Sequence, residues 1–268
     1  MLKNLITLIA ICCSFSIYCQ TKILSWNLED FGKSKSAQTI AFIANVSRDY
    51  DIVAVQEVVA GNGGVQAIAK LADELNRKGS KWDYVVSDPT SSSAYKTERY
   101  AFLWKTAKVR KIGKAWLEKE YHLEIDREPF LCTFQVDEKQ FTIANFHAIT
   151  KSKQPETEIK YLKFLPSEYK KLNILFVGDF NCPQSHTVFN PLKKMGYKSI
   201  FIGQKTSLKN ECKGKDCLAS EFDNIFYDSN KIKPIKSGAI HFYDKFSSLK
   251  EARQISDHIP IWFELSLH

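Results

Sequence analysis

"NILFVGDFNCPQS", residues 173–185, passes from an apolar run into a polar turn within thirteen residues. Ile174, Leu175, Phe176 and Val177 have the length and the β-branched and aromatic character of a buried strand. The chain leaves that strand through Asp179 and Asn181. Asp-x-Asn is also ordinary turn chemistry, because both side chains can close onto their own backbone. The rest of the chain decides between a turn and a site.

Seven further runs share the strand character: "KILSWN" (22–27), "DIVAVQE" (51–57), "YAFLWK" (100–105), "FLCTFQV" (130–136), "FTIANFH" (141–147), "FDNIFY" (222–227) and "IPIWFEL" (259–265). Helical spacing lies between some of them. Residues 36–48 align Ile40, Ile43, Ala44 and Ser47, and residues 63–76 align Val65, Ile68, Ala69, Ala72 and Leu75. Residues 155–171 start at Pro155 and align Ile159, Leu162 and Leu165, with Pro166 as the residue that would break the helix. Strands mixed with helices in this order predict layered α/β packing. There is no internal repeat, and the Ser-rich "SDPTSSSAYKT" (87–97) reads as one loop, so residues 20–268 are expected to form one domain.

At 44% hydrophobic and 13% aromatic residues, the chain can bury a large core, which excludes wholesale disorder. The first nineteen residues join Lys3 to an apolar stretch from Leu5 to Cys19, which reads as a signal peptide cleaved near Cys19 and Gln20. Fifteen residues fall short of the roughly 20 that a spanning helix needs. The expected location is secreted or periplasmic, with a lipid anchor on Cys19 as the weaker alternative and no stable membrane association. Cleavage would leave 37 basic against 30 acidic residues, a net charge of +7 that favours polyanionic partners. Four of the seven cysteines would remain; "ECKGKDC" brings Cys212 and Cys217 close enough to bond, with Cys182–Cys217 as the competitor.

Nearly every predicted strand ends in a group able to do chemistry: Asn27, Gln56 and Glu57, His147, Asp179 and Asn181, with Asp223 and the pair Asp257–His258 flanking the last two. Taken singly, each has an ordinary structural explanation as a turn, cap or core residue. Together they fit phosphodiester cleavage. Glu57 and Asp257 offer the oxygen ligands that a hard cation prefers, magnesium first, with manganese or calcium as alternatives. One histidine can take a proton from water while a second donates to the leaving oxygen. Asn27 and Asn181 can donate to phosphate oxygens without adding charge. No nucleotide-binding loop or nucleophile elbow is present; "GNGG" (61–64) lacks the spacing.

In order, "SWNLEDFG", "DIVAVQEV", "YKTERYAFLWK", "REPFLCTF", "FTIANFHA", "GDFN", "EFDNIFY" and "SDHIPI" resemble the endonuclease/exonuclease/phosphatase superfamily, and within it the secreted deoxyribonuclease I branch, over residues 22–265. The resemblance implies a four-layered α/β sandwich of two packed mixed or antiparallel β-sheets flanked by helices. It implies that Glu57 holds the metal with Asn27 and Asp257 nearby, and that Asp179 and Asn181 address the phosphate and the water. It further implies two carboxylate–histidine pairs, Glu98 with His147 and Asp223 with His258, a phosphate-contacting Arg127 and a groove-packing Tyr95. The expected activity is a monomeric, metal-dependent endonuclease on DNA, with RNA possible, leaving 5′-phosphate ends. A phospholipid or inositol phosphate substrate is the alternative, and an inactive binding module a remoter one. Three departures stand out: Val59 replaces an arginine shortly after "QE", "YKTERY" is one residue longer than usual, and "GDFNCP" is shorter before its cysteine.

Overall fold

Every one of the eight apolar runs becomes a strand, and six further strands join them. The computed structural model describes residues 20–92, 97–214 and 216–268; the signal-peptide reading of residues 1–19 and the Tyr95 assignment lie outside these. The order is β1 (Thr21–Phe31), α1 (Ala37–Ser47), β2 (Ile52–Val59), α2 (Asn62–Asn76), β3 (Trp82–Val86), β4 (Glu98–Lys105), β5 (Arg110–Leu117), β6 (Phe130–Val136), β7 (Lys139–His147), α3 (Glu156–Ile159), α4 (Leu165–Glu168), β8 (Ile174–Asp179), α5 (Asn190–Lys194), β9 (Tyr197–Ser199), β10 (Leu208–Lys213), β11 (Asp216–Leu218), β12 (Asp223–Asp228), β13 (Ile232–Ala239), α6 (Leu249–Ala252) and β14 (Ile261–Leu267).

Two mixed six-stranded sheets result, ordered β13-β14-β1-β2-β4-β3 and β5-β6-β7-β8-β12-β9. β1 runs parallel to β2 in the first sheet and β7 parallel to β8 in the second; the other pairs are antiparallel. The sheets face each other across one apolar cluster that includes Ile23, Ala54, Phe102, Phe134, Val177 and Phe263. A second cluster packs the outer face of the first sheet against α1, α2 and α6, and a third packs the outer face of the second sheet against α3, α4 and α5. This is the expected four-layered α/β sandwich. Its logic is that each inner strand is apolar on both faces and needs cover on both sides.

The expected α1 face is buried at all four positions, and Ser36 caps the helix by accepting from the Thr39 amide at 3.1 Å. The continuous helix expected over 155–171 is corrected. Short helical turns replace it, and Pro166 lies in the first turn of α4, where its missing N–H costs no helical bond. Ile159, Leu162 and Leu165 are nevertheless all buried. Strands β3, β5, β9, β10, β11 and β13 escaped the sequence reading because their exposed or polar residues leave no apolar run, as in β13's "IKPIKSGA". Cys212 bonds Cys217, while Cys132 and Cys182 are free and buried, so the Cys182–Cys217 alternative does not occur.

Candidate active site

The central strands of both sheets end on one side of the sandwich, and their last residues meet there. In β8, alternation turns Asp179 and Asn181 inward and Phe180 outward, where it packs on Phe146, Phe189 and Phe226 with ring centroids 5.1–5.7 Å apart. Gly178 makes this possible. At φ +139°, a Cβ there would lie 2.0 Å from the Phe146 carbonyl oxygen of the parallel neighbour β7. Opposite, β1 and β2 shift register together after Asn27 and Gln56, and the kink puts Glu29, Asp30 and Glu57 at φ +41°, +51° and +58°. Asn181 is also left-handed, at +49°. For glutamate this conformation costs on the order of 1–3 kcal/mol, and the surrounding bonds must hold it.

Those bonds bring the predicted residues together. The Asn27 side-chain amide donates to Glu57 Oε1 at 2.8 Å and to Asp179 Oδ2 at 3.1 Å, joining the two sheets. Its oxygen accepts from the Glu29 amide, and Glu57 Oε2 accepts from the Asp30 amide. His147 Nδ1 lies 2.9 and 3.0 Å from the two Glu98 oxygens. His258 Nδ1 lies 2.6 Å from Asp223 Oδ2. The far nitrogens of both rings converge: His147 Nε2 and His258 Nε2 each stand 3.6 Å from Asp179 Oδ2. His147 Nε2 is also 3.7 Å from Glu57 Oε1. Asn181 backs Asp179, its amide N–H donating to Oδ1 at 2.8 Å and its side chain to the Ala148 carbonyl at 3.0 Å.

Arg127 donates to Glu98 Oε2 at 3.1 Å and to the Ala148 carbonyl, and lines a cavity of about 300 Å3 with Glu57, Glu98, Asp126, Thr150 and Lys153. Asp257 stands apart from this network. Its carboxylate is 3.7 Å from Arg253, and its charge contributes to raising Glu57 and Glu29. Several participants had no signal of their own in the sequence. Tyr100 accepts from the His147 amide and donates to the Arg127 carbonyl. Ser256 donates to the Asn27 carbonyl at 2.6 Å and accepts from the His258 amide. Thr206 accepts from the Asp223 amide at 3.0 Å. Tyr100 and Ser256 fall inside the quoted motifs, but only the folded chain brings Thr206 beside Asp223.

Charge explains the proton affinities. Burial is the largest influence on His147 and disfavours its imidazolium, yet the charge and hydrogen bond of Glu98, with the charge of Asp179, together raise the pKa. Burial opposes charge on His258 too, but Asp223 and Asp179 raise it well above the ordinary histidine value. Burial would raise Glu98, but His147 and Arg127 pull it below the usual carboxylate range. Glu57 is raised, chiefly by burial. Of the buried or half-buried carboxylates Glu57, Glu98, Asp179 and Asp223, Glu98 is paired with Arg127, and Asp223 Oδ1 is buried without a hydrogen-bond partner. An anionic set of oxygen donors with an unpartnered member suits a hard divalent cation. Asp179, Asp223 and His258 each place a ligand atom within 4.8 Å of the others, a second grouping beside Glu57 and Asn27.

Comparison with known proteins gives a consistent answer. The profile of the Endonuclease/Exonuclease/phosphatase family matches residues 24–258. The chain is similar to deoxyribonuclease-1 of Bos taurus, at 30% identity over 90% of each chain. It is also similar to deoxyribonuclease gamma of Homo sapiens, at 29% identity over 91% of this chain and 85% of the relative. In fold it resembles an endonuclease/exonuclease/phosphatase family protein from Bacteroides thetaiotaomicron, with TM-score 0.69 and 18% identity over 93% of this chain and 98% of the other.

Proposed function

The chain belongs to the endonuclease/exonuclease/phosphatase family, in its deoxyribonuclease I-like branch, and we propose that it is a secreted, monomeric, divalent-metal-dependent endonuclease that cuts DNA. One observation carries this reading: two carboxylate-paired histidines, one ending β7 and one in the connection before β14, direct their free nitrogens at Asp179, beside a strained Glu57. Two acid–base groups flanking one anionic centre match a displacement at phosphorus, where a proton leaves the nucleophile as another reaches the departing oxygen. The DNA substrate is taken from the deoxyribonuclease relatives and agrees with the basic surplus.

In this reading His147 takes a proton from water as its oxygen bonds to phosphorus. His258 gives a proton to the departing 3′ oxygen as that bond breaks, leaving a 5′-phosphate. Glu98 and Asp223 hold the two rings in orientation, and Asn181 holds Asp179. The roles divide this way because Arg127 opposes charge on His147 alongside the favourable Glu98, whereas after burial the leading influences on His258 are all carboxylates that favour its charge. A divalent cation, magnesium first, would be held by Glu57 and Asn27 with Asp257 nearby, and would supply charge neutralisation at the phosphoryl oxygens. Arg127 contributes a fixed positive charge at the mouth of the same cavity. Export follows from reading residues 1–19 as a cleaved leader.

The test is to offer the purified protein plasmid DNA, RNA, sphingomyelin and an inositol phosphate in parallel, with magnesium and with excess chelator. Nicking of DNA that stops in chelator and yields ends ligatable without phosphorylation supports the proposal. Hydrolysis of the lipid or the inositol phosphate in preference to DNA, or undiminished nicking in chelator, overturns it.

A further inference from the structure

One side-chain step beneath the catalytic groups lies a second polar layer that the chemistry does not touch. Ser25 precedes Asn27 by two residues on β1, and Asn145 precedes His147 by two on β7, so alternation places each on the same face as its catalytic neighbour. Gln56 lies between them. Its side-chain amide donates to Asn145 Oδ1 at 2.5 Å and to Ser25 Oγ at 3.1 Å, crossing from the first sheet to the second. Asn145 in turn donates to the carbonyls of Val55 at 3.0 Å and Ala101 at 3.4 Å. Val55 and Ala101 form the last pair before the β2–β4 register breaks. All three polar side chains are buried.

We propose that Gln56, through Asn145 and Ser25, is a positioning residue that sets the separation between Glu57 and His147. Neighbouring strand residues face opposite sides, so a regular β2 would turn Glu57 away from the face that Gln56 occupies. The left-handed backbone at Glu57, φ +58°, returns its carboxylate to that face, 3.7 Å from His147 Nε2. Gln56 is the last residue in register with β1 before this kink. It ties the kink to the strand that carries His147.

Stability alone gives no reason for glutamine here. Gln56 Oε1 is buried with no hydrogen-bond partner, a desolvation that an apolar side chain of equal length would avoid. Hydrogen bonds between Asn27 and Asp179, and between His147 and both Glu98 and Tyr100, also cross between the sheets, but the Gln56–Asn145 bond is the one made by the chain neighbour of Glu57; apolar packing alone resists compression but does not define a distance to a fraction of an ångström. A hydrogen bond between the strands does.

The inference rests on the nuclease reading for its kinetic arm but not for its structural arm. Gln56→Met keeps the chain length and removes the bond. The expected result is a kcat on plasmid DNA lower by about ten- to a hundredfold, the scale of a misplacement near 1 Å, with KM for DNA little changed. In the variant's crystal structure the Glu57–His147 separation should exceed 3.7 Å. Thr142→Val is the control, because it breaks an equally buried side-chain contact, 2.9 Å to Thr133, on the same strand but away from the site; its kcat should match wild type. Gln56→Asn combined with Asn145→Gln should restore the bridge and most of the rate. If Gln56→Met does not fold, Ser25→Ala replaces it, with a smaller loss in the same direction. An unchanged kcat and separation in the substituted protein overturns the inference, as does an equal loss in Thr142→Val. A wild-type protein that cuts no DNA removes the nuclease reading alone, and the two crystallographic separations then decide this one.

Discussion

The two histidine–carboxylate pairs face each other across Asp179 at the same distance, yet they are built differently. Glu98 and His147 sit on regular strands, β4 and β7, and Glu98 shares its charge with Arg127. Asp223 also opens a strand, but His258 lies in the connection before β14, fixed through Ser256 and an isolated bridge to Ser207. No arginine reaches Asp223 among the described residues, and Asp223 Oδ1 has no partner. The difference teaches that equal geometry does not give equal proton affinity. A shared cation moderates the first pair, while the second concentrates negative charge on one imidazole.

The largest effect should come from removing either ring. His258→Ala and His147→Ala should each lower plasmid nicking by about 10²- to 10⁴-fold, with a loss of stability far too small to account for it, since each leaves a buried carboxylate without its imidazole. Strong residual cutting by one of them would show that the pairs are not acting as acid and base. The carboxylates should then separate the two halves. Glu98→Gln leaves the half-buried Arg127 without its ionic partner and should destabilise the fold by about 2 kcal/mol, below the range for a fully buried pair. Asp223→Asn should cost less stability and more activity. Urea melts and nicking rates on the same preparations check this, and equal losses on both axes would erase the distinction.

A finer probe is pH. The Glu98 carboxyl is depressed in the fold, so its stabilisation is complete above its unfolded value near 4.5 and is lost as pH falls through the lower folded value. His258 is raised, so its stabilisation is complete below about 6.5 and is lost as pH rises through the higher folded value. Stability should therefore decline on both sides of that window. Glu98→Gln should flatten the acid limb and, through His147, part of the alkaline one, whereas Asp223→Asn should act on the alkaline limb through His258. Denaturant midpoints across pH that ignore both substitutions would contradict the assignment. Smallest of all should be the effect of Cys212→Ser with Cys217→Ser. The bond closes a loop with a sequence separation of only five, so about 2 kcal/mol is its upper range. The hairpin adjoins the His258 half through Leu208, whose amide donates to the Asp257 carbonyl. A nicking rate that falls in the double variant would mean that this half depends on the hairpin for its shape.

The residues read at the strand ends do meet in one place in the fold, because the end of an apolar run is also where the chain leaves the core. An apolar run needs cover on both faces, and the residue where it stops is held by everything before it. Asn27, Glu57, His147 and Asp179 are legible for that reason. Edge strands such as β5 and β13 were not, because exposed positions break the apolar pattern that marks a strand. The helix expected over 155–171 failed differently: burial of one face requires only that Ile159, Leu162 and Leu165 point inward, and a series of short turns does that as well as one helix.

By itself the sequence determined the layered fold class, the inner strands and the inventory of polar groups at their ends, because these depend on local pattern and residue type. Only the tertiary structure decided which groups touch. It brought Glu98 to His147 and Asp223 to His258, 49 and 35 residues apart in the chain, and bent β2 so that Glu57 turns inward. It also placed Gln56 against Asn145. Contacts of that range follow from the register and facing of two sheets, which the whole core sets together and no short segment encodes.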